Sequence, residues 1–596
     1  MDGSAPRRWS RRTGARVALA LCLGAGACSV GRSVIGGERV PVREAAVPIG
    51  GRVDVEPTAL PLSQLPRFVL ADCDADGDLD VADQSGRVYL QAPGGAFVPA
   101  AEPIFEPGPQ RAVDLGDVDG DGVMDATLVG ETIELRPGLG GCRFGAPVVT
   151  PVRPCAVGAP VMLAPVDADL DGVRDFWAVC GLPGEGPTVL LRGLGDGRFE
   201  AFSVPAMATL NGMQQGLPAF SVLAEDLDDD GAVDAALLSD TGTGWFGWGT
   251  PGAVAHYTLD EALSDTLARV NTMGIVSLDF DRDGRIDSFW SGDGGGNRLL
   301  RSLGGRDFAE VSGAAGMRDE QPSGGTQSWS AVALDADLDG WTDVLVLRVA
   351  GPLDPSGGER PARPRLFINQ RDGTFTDHAS AAAPTPLQGK QAVCGDLAGD
   401  GRVGCLVVEP GRVSRLENHL ASTGGWLGVH LRGTVSDPEG IGAVVSVEGL
   451  DRPLVRRVGP GAATWAHHPL GLVLPALGAP ARTLRVRWPS GIEQRVPDVP
   501  AGVYSTLVEP EAVRLSARVA PADGRGRVEV TVRPGAAGAR SATIEARGAV
   551  AWAGPAETVD GALRRTLIAP AAPGVVTLDV TLDGAPLRVH PRVVFR

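Results

Sequence analysis

Asp72-Cys73-Asp74-Ala75-Asp76-Gly77-Asp78-Leu79-Asp80 places carboxylates at the first, third, fifth and ninth positions of a loop, with glycine at the sixth. The pattern returns at Asp117, Asp119, Asp121 and Asp125; at Asp167, Asp169, Asp171 and Asp175; and at Asp226, Asp228, Asp230 and Asp234. It returns again at Asp279, Asp281, Asp283 and Asp287, and at Asp335, Asp337, Asp339 and Asp343. A seventh copy keeps Asp396, Asp400 and Gly401 but has Ala398 and Gly404 where the others have the second and fourth carboxylates. The first aspartates lie 45, 50, 59, 53, 56 and 61 residues apart.

Calcium is a hard cation that takes about 6–8 oxygen ligands in flexible geometry. Carboxylates at alternate positions converge on one point when the chain curls tightly. Glycine at the sixth position permits the sharp turn, as in the EF-hand loop. The seventh position can add a backbone carbonyl, and the ninth aspartate closes the shell. The competing reading is a set of plain Asp-Gly turns. Several carboxylates a few ångströms apart repel one another without a cation, however, and the arrangement occurs six times. The expectation is therefore about six structural Ca2+ ions, with little or no binding at the seventh loop. Metal catalysis needs open coordination positions, so the ions are expected to staple the fold.

Apolar runs such as Phe68-Val69-Leu70, Val161-Met162-Leu163 and Val332-Ala333-Leu334 precede the loops, and Ala235-Ala236-Leu237-Leu238 and Val344-Leu345-Val346-Leu347 follow them. Short apolar runs bounded by turn residues read as strands. A second repeated element is a Gly-rich turn followed by Phe97, Phe144, Phe199, Phe308 or Phe375, each read as an inter-unit core residue. The unit suits a four-stranded blade, and a repeat of this length implies a propeller or solenoid. The pattern resembles the FG-GAP/VCBS-type repeat family, which includes the seven-bladed integrin α-chain propeller. That resemblance spans 62–417 and implies a seven-bladed β-propeller with the aspartates above as calcium ligands.

Residues 424–509 carry a second resemblance. Gly425-Trp426-Leu427-Gly428-Val429-His430, Gly440-Ile441-Gly442-Ala443 and Arg487-Trp488-Pro489-Ser490-Gly491 look like the ASPIC/UnbV domain. That domain follows VCBS repeats in bacterial exported proteins and in cartilage acidic proteins. Stretch 459–468 departs from the family pattern. In 512–596, Val528-Glu529-Val530-Thr531-Val532 and Val576-Thr577-Leu578-Asp579-Val580 alternate, which predicts a β-sandwich-like, immunoglobulin-like module. The expected fold class is all-β: a seven-bladed β-propeller, a small ASPIC/UnbV β domain and a C-terminal sandwich.

The N-terminus reads as a processing segment. Arg7, Arg8, Arg11, Arg12 and Arg16 precede the apolar stretch 17–23, and Ala25-Gly26-Ala27-Cys28 resembles a bacterial lipobox. Residues 1–27 are thus expected to be a lipoprotein-type signal peptide, Cys28 the lipidated residue and 28–61 a tether. The expected location is the bacterial envelope or surface, held to the membrane by the lipid alone. An exported chain can form disulfides. Cys394 and Cys405, flanking the weakened loop, are the favoured pair. One bridge is expected among Cys142, Cys155 and Cys180, with Cys73 free.

The formal net charge is −19, and much of the acid sits in the loops. No basic stripe is present to attract nucleic acid. No nucleophile elbow or phosphate-cradling loop appears, so no catalytic residues are assigned. Trp245 and Trp248 are candidate ligand contacts should their indole faces be exposed, with inter-blade packing as the favoured reading. The neighbouring His467 and His468 point to opposite faces if on a strand. The favoured reading is a non-enzymatic binding or adhesion protein for a protein or glycan partner. An exported polysaccharide-active enzyme with a propeller-face site and an envelope structural or assembly factor remain alternatives.

Overall fold

Short β-prone runs separated by Asp-Gly turns fold into antiparallel sheets whose first two strands flank each acidic loop. The computed structural model describes residues 53–58 and 67–596, apart from 107–110, 157, 182–187, 204–218, 220, 239–243, 252, 293–295, 319–325, 351–359, 379–385, 423 and 460–468. In the first sheet Phe68–Ala71, Asp80–Asp83, Val88–Ala92 and Ala96–Pro99 pair in chain order. The third sheet repeats the order with Met162–Val166, Asp175–Val179, Val189–Gly193 and Phe199–Ser203. Seven such sheets form among the described residues.

The first strands of successive sheets touch in order, and that of the seventh, Gln391–Gly395, touches that of the first. This contact pattern is a closed ring, a β-propeller. Apolar cores lie between the sheets. Ile133 and Leu135 of the second pack with Leu163, Phe176 and Phe199 of the third. Val393, Leu406 and Val413 of the seventh pack with Phe68, Val81 and Tyr89 of the first. Phe199, Phe308 and Phe375 are buried, while Phe97 and Phe144 are only half-buried. Closure leaves no long free sheet edge.

The ring closes in a way the tether reading does not anticipate. Val53–Thr58 is a strand, and it pairs antiparallel with Arg412–Asn418 as the fourth member of the seventh sheet. The tether assigned to 28–61 is thus corrected at 53–58. Pro57 is tolerated there because an outer strand needs ladder donors on one side only. The fourth sheet also carries a helix, Glu261–Val270, capped by Asp260, whose side chain accepts from the Leu263 amide.

In the ASPIC/UnbV region Trp426–Arg432 lies between Leu472–Pro475 and the parallel strand Tyr504–Val508. A second sheet joins Val455–Arg457, Val444–Val447, Ala481–Arg487 and Glu493–Pro500. The buried Glu509 carboxylate explains two of the sequence signatures. Its Oε2 accepts the amides of Thr434, Val435 and Ser436 at 2.8–3.0 Å, and its Oε1 accepts the Ser490 hydroxyl at 2.5 Å. The Trp-Pro-Ser-Gly turn and the 433–437 loop are thereby tied to one side chain.

The C-terminal region is two facing sheets, one around Arg527–Val532 and Ala562–Ile568, the other around Gly574–Leu582 and Arg592–Phe595. Asp583 and Gly584 both have positive φ, 49° and 83°, in the hairpin turn after Gly574–Leu582. One continuous apolar cluster runs from Leu427 and Val429 through Trp488 to Val530, Leu578 and Phe595. The last two domains therefore share a core.

Candidate metal centres

Each acidic loop repeats one hydrogen-bond scheme. The first aspartate gathers amides from inside the loop: Asp167 accepts from Asp171 and Gly172 at 3.0 Å, and Asp335 from Asp339 and Gly340 at 2.9 and 2.8 Å. The fifth-position carboxylate accepts the amide two residues on, as Asp121 does from Val123 and Asp230 from Ala232, both at 2.8 Å. Glycine at the sixth position takes positive φ in all seven loops, as expected. The fourth position is also left-handed, and the sequence gives no sign of it. Ala75, Leu170, Asp229, Arg282 and Leu338 hold φ of 53–64° there, a conformation that non-glycine residues rarely adopt.

The ninth aspartate has a second task. Asp175 opens the second strand of its sheet and is fully buried. It accepts the Ala168 amide at 2.9 Å and the Gly193 amide of the third strand at 2.7 Å. Asp80, Asp125, Asp234, Asp287 and Asp343 make the equivalent pair of bonds. This residue brackets the loop to the sheet as well as facing the cluster.

The carboxylates converge as the loop chemistry requires. One oxygen from each of Asp72, Asp74 and Asp80 lies within 4.8 Å of the others, and the same holds for Asp117, Asp119 and Asp125. It also holds for Asp167, Asp169 and Asp175, and for Asp226, Asp228 and Asp230. Asp169 Oδ1, Asp226 Oδ1 and Asp281 Oδ1 are buried and accept no hydrogen bond. A buried unsatisfied carboxylate oxygen is costly, and a cation at the convergence point satisfies it. All-oxygen donors of this charge fit a hard divalent ion. In the third loop the other oxygen of Asp169 pairs with Arg192 at 2.9 Å and with Arg592, which leaves Oδ1 alone turned to the carboxylate cluster.

Burial, reinforced by neighbouring carboxylates, raises these acids. Asp80, Asp279 and Asp335 are pushed up to about 7, Asp125, Asp226 and Asp337 to about 6, and Asp169 to about 8. Backbone amides pull the other way without reversing the shift. Charge crowding of this kind is relieved by a bound cation.

The seventh loop keeps the curl without the charge. Asp396 still accepts the Asp400 and Gly401 amides at 3.1 and 2.8 Å, and the Tyr504 hydroxyl donates to its Oδ2 at 3.0 Å. Cys394 and Cys405 are directly paired across the adjacent strands and form a disulfide. Next to it, glycine replaces the bracketing aspartate. Cys155 pairs with Cys180. The expectation of a free Cys73 is corrected: it bridges to Cys142 in the Gly turn of the next sheet. Packing of the first sheet against the second brings together two residues 69 apart in sequence.

The favoured packing reading of the two tryptophans holds, and their candidacy as ligand contacts is corrected. Trp245 and Trp248 are buried, at 0% and 3% exposure. Trp248 Nε1 donates to Asp260 at 2.9 Å, and its ring stacks on Phe308 of the next sheet. Trp245 meets Tyr257 edge-on. Both are inter-sheet packing residues, so neither offers a face to a ligand. Cys28, His467 and His468 lie outside the described residues. No helix among the described residues is long and apolar enough to cross a membrane.

The FG-GAP-like repeat family matches residues 72–126 and 279–346, and the ASPIC and UnbV family matches 433–514. No curated protein matches the chain. Among solved structures, YCF48 bound to a D1 peptide is 10% identical, covering 63% of this chain and 98% of its own, with a TM-score of 0.38. BBS1N in complex with ARL6DN is 10% identical over 63% of this chain and 96% of its own, with a TM-score of 0.36. The WD40 β-propeller domain of Doa1 is 9% identical over 61% and 96%, with a TM-score of 0.34. These scores are too low to add to what the strand pairing shows.

Proposed function

We propose, for a chain that carries FG-GAP-like repeats and an ASPIC/UnbV domain, the role of an exported, calcium-loaded, non-enzymatic binding protein for a protein or glycan partner. The observation that carries the calcium reading is the convergence of carboxylate oxygens to within 4.8 Å in one loop after another, beside buried oxygens with no hydrogen-bond partner. The bound ions would supply the positive charge that lets each loop stay curled. The first, third and fifth aspartates of each full loop would hold the ion, with the ninth as bracket and fourth ligand.

Three disulfides among the described residues support an oxidising compartment. The lipobox-like Cys28 supports a lipid anchor there. The binding role rests on the architecture: a disulfide-stapled ring followed by two β domains suits display at a surface, with the loop carboxylates committed to the ions.

Thermal melting of the mature protein in calcium and in chelator, with bound metal counted in parallel, tests the calcium reading. About six ions and a large upward shift of Tm in calcium support it. Neither ions nor a shift reduces the loops to plain turns. Glycan-array and surface-protein screens of the loaded form then test the partner.

A further inference from the structure

We propose that the acidic loops are an internal joint: with their ions in place they seat the ASPIC/UnbV domain and the C-terminal sandwich on the loop face of the propeller, and loss of the ions releases those two domains together. The proposal rests on the calcium reading above and adds what the ions control.

The joint is visible loop by loop. In the third loop Arg174, next to the bracketing Asp175, reaches out of the propeller. Its guanidinium donates twice to Asp437, at 2.8 and 3.0 Å, and once to Glu439 at 2.6 Å. Arg174 is 1% and Asp437 0% exposed, so the pair is sealed from water. The sandwich grips the same loop through backbone acceptors. The His590 amide donates to the Leu170 carbonyl at 2.6 Å, and Arg518 donates to the Asp171 carbonyl at 3.3 Å. A side chain on Gly172 would place its Cβ 2.0 Å from the Val435 carbonyl oxygen, so the two backbones meet there directly.

Other loops make the same kind of contact. Asp229 of the fourth accepts from Arg487 at 2.6 Å. Arg282 of the fifth donates to the carbonyls of Pro453 and Arg452, both at 3.0 Å. Gly401 of the seventh lies so close to Trp426 that a Cβ would fall 2.0 Å from the indole ring.

Three features turn this contact into a calcium-set device. First, most of the grips fall on loop positions four to eight, the residues whose places would be fixed by the curl around the ion, while Arg592 and Tyr504 reach the carboxylates of Asp169 and Asp396. Leu170 and Arg282 are both held in the left-handed region, at φ 54° and 53°. Second, the two bodies keep separate cores. The cluster shared by the ASPIC/UnbV domain and the sandwich takes in only Leu170 from the propeller, so little apolar burial holds the bodies together once the loops move. Third, the key pair is buried. Separating Arg174 from Asp437 by a small loop displacement leaves two desolvated charges unpaired, so docking at the third loop is all or none. The extra negative charge of an ion-free loop would draw Arg592 and Arg487 closer. That attraction is screened at Arg487, whose partner Asp229 is exposed. It persists at Arg592, mostly buried against Asp169 and Asp171, and it does nothing for Arg174 or Arg282, which are cations of the loops themselves.

Small-angle scattering of the mature chain in saturating calcium and in chelator tests the joint, with bound calcium counted and the 419–425 connection probed by limited proteolysis. The expected result is a larger radius of gyration in chelator and cleavage at the connection into a propeller fragment and a two-domain fragment. Calcium bound to the loops with dimensions and cleavage unchanged by chelator overturns the joint and leaves the calcium reading standing. Absence of bound calcium overturns both. Arg282→Gly separates the contact from the loop. Glycine suits the left-handed position and leaves every carboxylate in place, but it removes the bonds to Pro453 and Arg452. The variant is expected to bind as many ions as the parent, while the calcium midpoint for compaction rises about fivefold or more. An unchanged midpoint overturns the proposal.

Discussion

On the proposed calcium reading, a single aspartate in these loops is either a ligand or a ligand and a bracket, and the two are separable. Asp76 is exposed and accepts only the Asp78 amide, at 2.9 Å. Asp175 is fully buried and holds two backbone amides. Asp76→Ala is expected to remove one counted ion yet cost less than about 1 kcal/mol in chelator. Asp175→Ala orphans two buried donors at roughly 1–3 kcal/mol each, so it is expected to destabilise by at least about 2 kcal/mol even in chelator, read by urea unfolding. Equal costs in chelator would remove the bracket role.

The same residues set a pH dependence. Asp125, Asp80 and Asp169 titrate at about 6, 7 and 8 in the folded chain, each raised from 3.8 chiefly by burial. A carboxyl raised on folding contributes stability that is full below its unfolded value and lost as pH climbs through its folded value. The calcium-free protein is therefore expected to melt lower at about pH 8 than at about pH 5, and the calcium-induced rise in Tm to be larger at the higher pH. Chelated protein that gains stability between those two values would show that the carboxylates are not crowded.

At the scale of elements, legibility followed repetition. Six loops with identical internal spacing announced their turns and the convergence of their carboxylates, and the short apolar runs beside them announced strands. What occurs once was not readable. Val53–Thr58 reads as a short, Pro-containing stretch behind glycines, and its partner Arg412–Asn418 lies at the far end of the ring. The Cys73–Cys142 bridge depends on two sheets becoming neighbours, which spacing does not encode. Trp245 and Trp248 read as packing residues from sequence, but their partners Tyr257 and Phe308 are set by tertiary structure and were not readable.

The strand Val53–Thr58 gives an elementary test of closure. Truncation through Thr58 leaves the seventh sheet without its outer member. Amides of Arg412–Asn418 are then expected to lose hydrogen-exchange protection while the third sheet keeps its own. Retained protection at Arg412–Asn418 would mean the ring closes without the strand. The disulfide next to the seventh loop carries a parallel expectation. Cys394 and Cys405 close a short loop, 11 residues apart, and chain entropy assigns such a cross-link about 2–3 kcal/mol. Replacing both by alanine should lower stability by that amount in calcium and in chelator alike, because no ion is expected at that loop. A loss seen only in calcium would show that the seventh loop binds an ion after all.

For the whole molecule, the acidity that dominates the composition sits largely at one boundary. The net charge is −19, much of the acid sits in the seven loops, and the third and fourth of them are gripped by Arg487, Arg518 and Arg592 from the following domains. Sequence reading assigned the acid to metal alone and gave the three regions no shared surface. The structure makes the loops a shared surface, and that role is invisible in sequence because the arginines lie hundreds of residues from the acids they meet. The arrangement fixes how the chain should unfold. A propeller and a two-domain body with separate cores, joined through ion-ordered loops, are coupled only while the loops keep their shape. Calorimetry of the calcium-loaded chain is therefore expected to show one cooperative transition. In chelator it should split in two, the lower belonging to the propeller, whose loops have lost their countercharge, and the upper to the shared core of the last two domains. Fragment-resolved hydrogen exchange at the lower midpoint assigns the transitions. Two transitions already present in calcium would mean that the bodies were never coupled, and a single transition surviving in chelator would mean that the coupling owes nothing to the ions.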